Sequence, residues 1–280
     1  MSNTVQKSPQ AWEPLTPRGV AVFARASLGR LLLVQLMVAL LAGGVVVWFL
    51  DQAWFPVVRS AIQQLPATGE ISGEHLDWPG DTRIQLAANH FLGFAVDLNH
   101  SGQLGREAHL QIEFGREDLR VYGLLGYQPV AYPPGWRFAL NRPELGPSWG
   151  AWEPFILAGA AAGTVVGLML TWTLLATLYC LPVWFITLFE NRDLNLRQSW
   201  RLAGAALMPG ALFLTVAIIC YGLNLVDLIR LGGLASLHFL IGWAYLFISP
   251  LFLPKVSAAT LKPNPFVPPK DAGEPTTNKK

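Results

Sequence analysis

One uncharged stretch, residues 155–189, dominates the hydrophobic pattern of the chain: it holds 35 residues without a single charged side chain. A helix facing water would alternate apolar and polar faces, so a uniform run must be surrounded by lipid or by other apolar helices. At about 1.5 Å per residue it would be roughly 50 Å long, against a hydrocarbon core of about 30 Å. The pattern predicts a spanning helix that continues into the interface, with Pro182 as the place for a kink or break.

Three glycines, Gly159, Gly163 and Gly167, recur at four-residue spacing inside this stretch. Such spacing places a smooth ridge on one helix face, where the backbone of a second helix can approach closely. Ala39 and Gly43 form a small-residue patch in an earlier apolar stretch, and we expect that patch to meet the ridge. The stretch is therefore predicted to be the central helix of a small bundle.

Four apolar stretches are long enough to cross a membrane. Their predicted bounds are 31–54, 153–189, 203–224 and 234–253. Residues 1–30 are predicted to be a cytoplasmic N-terminal segment, residues 190–201 a polar loop, and residues 254–280 a disordered cytoplasmic tail. Residues 151–253 would then form a three-helix membrane region that the first span joins.

Residues 55–150 differ from the rest because glycine, proline and charge increase and the hydrophobic period falls to two. Their first part, with Val57, Ala61 and Leu65 at helical spacing, predicts an amphipathic lead-in helix on or just above the membrane. Alternation at 92–98 and 110–114 then predicts a small, mainly antiparallel sheet. The fold class expected is an integral membrane α-helical bundle of four spans, with a small extracytoplasmic, mainly β insert domain between spans 1 and 2.

Charge sets the predicted orientation, since loops rich in Lys and Arg stay in the cytoplasm. Segments 1–30, 190–201 and 254–280 together carry 12 Lys/Arg and 5 Asp/Glu, and the remaining residues carry 8 and 13. Both termini are therefore expected in the cytoplasm. With 52% hydrophobic and 14% charged residues, the chain is expected to be a multi-pass protein of a bacterial cytoplasmic (inner) membrane.

Three polar residues near the last span are candidate intramembrane groups: His238, Asp227 and Arg230. Ionisable side chains inside a membrane are functional candidates by default. The alternative is structural: His238, expected near the outer end of its span, hydrogen-bonds a neighbouring helix, and Asp227 pairs with Arg230 at the helix edge. Threonines of the central helix, such as Thr171, more often bond their own backbone than line a pathway.

The insert offers two weak metal signals. Residues 97–102 resemble the start of a calcium loop, but Ala108 occupies the position where such a loop needs a bidentate Glu, so a turn between strands is favoured. Four of the five histidines lie in the insert without zinc-ligand spacing and are expected on its surface. No nucleophile elbow, phosphate loop or paired-carboxylate motif occurs, so no catalytic residue, metal site or cofactor is predicted.

The order of elements resembles an uncharacterised bacterial membrane family, domain of unknown function 1189, which is itself similar to the Yip1-like bundles. The residues that carry the resemblance, over roughly 20–256, are Gln63–Pro66, Gly73, Val96–Asp97, Gly102, Asp118 and Leu202–Pro209. The resemblance implies a membrane bundle and no established reaction. Yip1-like bundles often have five spans, and this chain is expected to have four.

Together these features predict a non-enzymatic membrane protein that presents an extracytoplasmic domain for binding or scaffolding an envelope partner or lipid. The expected partners are the lipid bilayer and either an envelope protein or further copies of the chain, with no nucleic acid. The alternative is a transport or permeation component that uses groups such as His238 and Thr171. A transporter would gather polar residues at the bilayer midplane, whereas a scaffold would have a dry bundle and an exposed patch on the insert.

Overall fold

A computed structural model describes residues 12–80, 83–102, 104 and 108–255 of the chain. The predicted tail beyond residue 255 lies outside the described residues. Four helical stretches in the described part are long and apolar enough to cross a membrane: Leu28–Gln64, Arg142–Phe189, Leu196–Gly222 and Leu228–Phe252. A separate β-sheet region lies between the first and the second of these stretches, which confirms the general fold class predicted from the sequence.

The first stretch is one continuous helical rod. Helix α2 (Leu28–Phe49) passes through a π-helical turn (Leu50–Trp54) into α3 (Phe55–Gln64). Pro56 is accommodated in the first turn of α3, where a missing N–H matters least. The predicted amphipathic helix is therefore present but continues the span, with Val57 and Ala61 buried against the sheets. The π-helical turn sets the direction in which α3 leaves α2.

The described residues of the β-domain, which spans residues 70–139, form eight strands in two sheets. The strands are β1 (Glu70–Ser72), β2 (His75–Asp77), β3 (Arg83–Ala88), β4 (Leu92–Asp97), β5 (Leu110–Phe114), β6 (Asp118–Gly123), β7 (Gly126–Ala131) and β8 (Arg137–Ala139). The small sheet has the order β2-β1-β8 and the larger one β3-β4-β5-β6-β7. All neighbours are antiparallel except β4 and β5, which are parallel because the chain crosses over between residues 98 and 109.

One hydrophobic core joins both sheets to α3. Its buried members include Ala61 and Leu65 from the helix, Leu76 from the small sheet, and Leu86 and Val96 from the larger one. The β-domain therefore completes its core with the end of the first helical rod. The β-domain is thus attached to the first rod by packing and not only by a connecting loop.

Helix α4 (Arg142–Phe189) is a single helix of 48 residues. It begins eleven residues before the predicted span, because the Asn141 side chain accepts a hydrogen bond from the Glu144 amide at 3.0 Å and caps the first turn. Of the predicted kink or break at Pro182, the break is wrong, and a kink there stays a prediction. A proline removes one intrahelical hydrogen bond, and the residues on both sides of Pro182 remain helical.

The bundle end opposite the β-domain contains two helices that the hydrophobic pattern did not reveal. Helix α1 (Pro17–Phe23) buries Val20 and Phe23 completely within the segment predicted to be simply polar. Helix α5 (Leu196–Ala206) begins within the predicted loop 190–201, capped by reciprocal bonds of 2.9 Å between Asn195 and Gln198. Both helices pack on each other, so the cytoplasmic loop predicted here is largely structured.

The remaining bundle helices are α6 (Met208–Gly222) and α7 (Leu228–Ile248), followed by a 3-10 turn (Ser249–Phe252). The third predicted span thus begins in α5 and the fourth begins six residues early, at Leu228. Gln35, the only polar interruption of residues 31–50, donates from Nε2 to the Gly204 carbonyl at 3.1 Å and is buried. The bundle core around it combines small residues, Ala203, Ala205 and Ala206, with larger buried ones such as Leu31 and Leu202.

Candidate functional site

The glycine ridge on α4 faces away from the other described helices. A Cβ atom placed on Gly159, Gly163 or Gly167 would have no neighbour within 4 Å, and all three residues are exposed. The predicted contact between this ridge and the first span is therefore wrong. Helix α4 instead presents the face that carries Trp172 and Ala176, both of which are buried in the bundle core.

The small residues of α2 do contact α4, but beside the ridge. Ala39 is fully buried, and a Cβ atom on Gly43 would lie 3.3 Å from both the Ala161 carbonyl oxygen and the Val165 Cγ2 atom. The glycine spacing correctly identified α4 as a helix that contacts α2, but it predicted the wrong face of α4 for that contact. Alanine and valine, being small, allow the close approach that glycine was expected to supply.

Asp227 and Arg230 form the N-terminal cap of α7. The Asp227 side chain accepts a hydrogen bond from the Arg230 amide at 2.7 Å, and the two side chains form an ion pair at 3.5 Å. Both side chains are largely exposed at the end of the bundle nearest the β-domain. Their geometry is that of a helix cap, and the pairing at the helix edge is as expected.

His238 lies in the middle of α7, eleven residues into a helix of 21. The sequence placed it near the end of its span, and the earlier start of α7 at Leu228 explains the difference. Its Nδ1 atom is hydrogen-bonded to the Ala235 carbonyl oxygen of its own helix, and its ring packs against Phe239 with centroids 3.9 Å apart. The imidazole thus keeps its Nε2 edge turned away from its own backbone.

Four helices, α2, α4, α6 and α7, enclose a bundle cavity of about 280 Å³ beside His238. Apart from the imidazole, its polar lining includes Thr164, Thr171, Thr215 and Tyr179. Thr164 and Thr215 each donate their hydroxyl to a carbonyl four residues earlier at 2.8 Å, as expected of threonines in apolar helices. None of the described lining residues is Asp, Glu, Lys or Arg.

A second polar site lies where the β-domain meets the bundle. His109 approaches Tyr221 of α6, with Nδ1 2.8 Å from the hydroxyl and the rings stacked at 5.7 Å. Phe91 packs edge-on against Tyr221, and Asn89 donates from Nδ2 to the Ala53 carbonyl of the π-helical turn at 2.5 Å. These contacts, the β-domain latch, hold the larger sheet against the top of the bundle.

Burial lowers the pKa of His109, and the nearby charge of His90 lowers it further. The two imidazole rings lie 4.1 Å apart, so a positive charge on His90 disfavours protonation of His109. The latch therefore favours the neutral form of His109. The sequence predicts a surface position for this histidine, and for His109 that prediction is wrong.

A third polar cluster is buried inside the β-domain around His100. Its ring contacts the Glu113 carboxylate at 2.6 Å through Nδ1 and the Asp118 carboxylate at 2.5 Å through Nε2. Gly115 provides the room, since a Cβ atom there would lie 2.0 Å from the imidazole. The His100 side chain is only 9% exposed, so it too is not the surface histidine expected from the sequence.

The His100 cluster stabilises a turn and shows no free reactive group. Both ring nitrogens are occupied, which leaves neither for proton transfer to a substrate. Asp97 next to it accepts from the Ser101 amide and hydroxyl at 2.7 Å each, as in a side-chain-capped turn. The preference for a turn over a calcium loop agrees with this geometry, and the described residues contain no group of three or more His, Cys, Asp or Glu arranged so that it could hold a metal ion.

An apolar slot lies between α3, α4 and the two sheets. The acyl slot, as we name it, measures about 190 Å³ and its described lining is almost entirely apolar. The lining residues are Val58, Ala61, Ile62, Leu65, Leu86, Phe94, Phe114, Phe138, Leu140, Leu145 and Trp149. Ile62, Phe138, Leu145 and Trp149 also line a wider cleft of about 390 Å³, so the slot adjoins open space.

A polar cleft of about 680 Å³ continues from this wider cleft across the small sheet. Arg137 and Glu144 line both, and Glu70 and Asp77 face the polar cleft alone. Arg137 is 3.6 Å from the Glu70 carboxylate, which leaves the cleft with more negative than positive side chains. An apolar slot, an open cleft and a charged cleft thus follow one another along one side of the β-domain.

Comparison of the chain with protein-family models, with curated proteins and with solved structures finds no match. The resemblance to domain of unknown function 1189 and to Yip1-like bundles therefore stays a prediction. Any function must be argued from the geometry of this molecule.

Proposed function

We propose that this protein is a four-span membrane protein whose extracytoplasmic β-domain binds a single lipid chain in the acyl slot. The observation that carries the proposal is the row formed by the slot and its two clefts, apolar at one end and charged at the other. An amphiphilic ligand has the same division, with an apolar chain at one end and a charged head group at the other. The proposal makes the predicted binding of a lipid specific and assigns it to named residues.

The slot suits a hydrocarbon chain because its described lining is aliphatic and aromatic, with the indole N–H of Trp149 as the one polar side-chain group among these residues. Each methylene removed from water into such a slot contributes about 0.8 kcal/mol. A ligand of higher polarity would lose its hydration without gaining hydrogen bonds there. Phe138, on the edge strand β8, is 41% exposed and stands between slot and cleft.

The charges of the polar cleft favour a zwitterionic or amine-bearing head group. Glu70, Asp77 and Glu144 outnumber Arg137 there, so a purely anionic head group would meet net repulsion. A head group with both signs would place its ammonium near the carboxylates and its phosphate near the guanidinium. Phosphatidylethanolamine and its lyso form have this chemistry.

Two tryptophans support a position of the slot close to the bilayer. Trp149 lines the slot, and Trp152, one turn further along α4, is 64% exposed just before the uncharged stretch begins. Tryptophan concentrates at the interface between hydrocarbon and water, so a chain leaving the bilayer reaches the slot over a short path. The basic segments on the opposite end of the bundle support an extracytoplasmic β-domain.

The test fills the slot from α3. Ala61 is buried on the slot wall, so Ala61→Phe places a ring inside it, whereas Ser60→Phe adds the same ring on the exposed side of the same helix. Native mass spectrometry of the protein in phosphatidylethanolamine nanodiscs, after release in mild detergent, should show one retained lipid in the wild type and Ser60→Phe. Ala61→Phe should lose it. Equal retention in all three proteins would refute the slot as the binding site.

A transport or permeation component is the second candidate, and one observation favours it: His238 and Thr171 line a cavity halfway along the bundle helices. Transporters place polar groups at this depth. The buried, small-residue interior around Ala203 and Ala205 favours a scaffold over an open pathway. A solute flux assay in proteoliposomes, with His238→Phe as the comparison, separates the two candidates.

A further inference from the structure

We propose a second ligand site in the bundle cavity, where a neutral lipid bearing a hydroxyl group donates a hydrogen bond to Nε2 of His238. This site is separate from the acyl slot and does not rest on the lipid binding proposed there. The argument uses the tautomer of His238, the lining of the cavity and the opening between α4 and α7.

The partner of Nδ1 determines the tautomer of His238. The Ala235 carbonyl oxygen can only accept a hydrogen bond, so Nδ1 carries the proton and donates it. In the neutral ring the other nitrogen, Nε2, is then an acceptor with a free lone pair. A ligand that satisfies it must supply a donor.

The rest of the lining determines the other properties of the ligand. Leu168, Leu175, Leu214 and Ile218 make most of the wall apolar. No described lining residue is charged, so an anionic phosphate would lack a counter-ion in an apolar surrounding. The Thr164 and Thr215 hydroxyls already donate to their own helices and compete little for the ligand. The chemistry that fits is a hydroxyl at the end of a hydrocarbon body.

The route into the cavity runs between α4 and α7. These two helices make few contacts, and they are joined at one level by a hydrogen bond of 3.1 Å from Trp243 Nε1 to the Tyr179 hydroxyl. Five residues before Trp243 on α7, His238 lines the cavity, and its neighbour Phe239 is 57% exposed. A lipid-soluble molecule can therefore enter sideways from the hydrocarbon region without crossing water.

The test uses a photoreactive alcohol and a matched ether. Full-length protein in nanodiscs is irradiated with hexadecanol carrying a diazirine in its chain, and with the methyl ether of the same compound. The alcohol should label peptides of α4 and α7 that line the cavity. The ether has no donor and should label them roughly fivefold less, the range of one net hydrogen bond.

Variants then test the acceptor itself. His238→Phe should reduce labelling by the alcohol to the level of the ether, and His238→Gln, whose side-chain carbonyl accepts, should restore part of it. Ser236→Ala, on the exposed side of α7, should leave labelling unchanged. Equal labelling by alcohol and ether in the unmodified protein would overturn the proposal, and so would the absence of cavity labelling. The comparison of alcohol with ether requires no variant and so holds even if His238→Phe fails to fold.

Discussion

A matched pair of glycine substitutions tests how the bundle is assembled. Gly210 of α6 and Gly163 of α4 are both replaced by alanine. A Cβ atom on Gly210 would lie 2.5 Å from the His238 carbonyl oxygen and 3.5 Å from the Gly242 amide nitrogen. On Gly163 the same atom would meet nothing within 4 Å.

The expected magnitudes follow from these distances. Because the atom facing Gly210 belongs to the backbone of α7, no side-chain rotation relieves the clash. The helices must separate by about 1 Å to restore a normal contact, which costs about 1–3 kcal/mol by analogy with overpacked cores. Gly163→Ala has no steric cost and gains up to about 1 kcal/mol from helix propensity. The two variants should therefore differ in sign.

Thermal unfolding in mild detergent measures the difference at equal protein concentration. Gly210→Ala should melt several degrees below the wild type, and Gly163→Ala at or above it. Loss of stability in Gly163→Ala comparable to that in Gly210→Ala would refute the reasoning. The exposed ridge would then have to be covered by another molecule, such as a second copy of the chain.

Three further predictions concern the β-domain and its attachment. Since the pKa of His109 is lowered in the folded state, its contribution to stability is complete above about pH 6.5 and is lost as the pH falls. Melting temperatures between about pH 7.5 and 5 should therefore decline more steeply in the wild type than in His109→Gln. Parallel curves for the two proteins would refute this role of His109. Glu153→Gln should cost at most about 1 kcal/mol, because Arg59 bridges to that carboxylate from a half-exposed position on α3; a loss of several kcal/mol in denaturant unfolding would show that the pair is worth more. Reporters fused after Asn99 should be extracytoplasmic and those after Asn195 cytoplasmic, and a cytoplasmic signal from Asn99 would reverse the proposed orientation.

The sequence predicted what depends on local periodicity and composition. The four apolar stretches, the lead-in helix before Leu65 and the strands around Val96 all have patterns that a short window can detect. The ends of the helices were predicted less accurately than their presence. The caps at Asn141 and Asn195 extended α4 and α5 into segments whose composition resembled loops.

What the sequence could not give depends on pairing across long separations. The acyl slot draws its wall from residues between 58 and 149, and no spacing rule connects Ala61 with Phe138. Gln111 and Glu113 alternate with apolar residues along β5, a pattern typical of a solvent-facing side, yet both are buried, and Glu113 contacts His100 across a separation that no short window detects. The glycine ridge failed for a related reason: periodicity identifies a helix face but does not say which neighbour, if any, covers it.

The length of α4 has a consequence for how the molecule responds to its surroundings. At about 1.5 Å per residue, its 48 residues make a rod of roughly 72 Å, more than twice the hydrocarbon thickness. A span longer than the bilayer adjusts to thickness by tilting. No loop separates the predicted membrane part of α4 from the part that lines the slot. A tilt of the helix is therefore expected to displace the β-domain sideways. In the proposed four-span arrangement, a change in membrane thickness is therefore expected to move the β-domain.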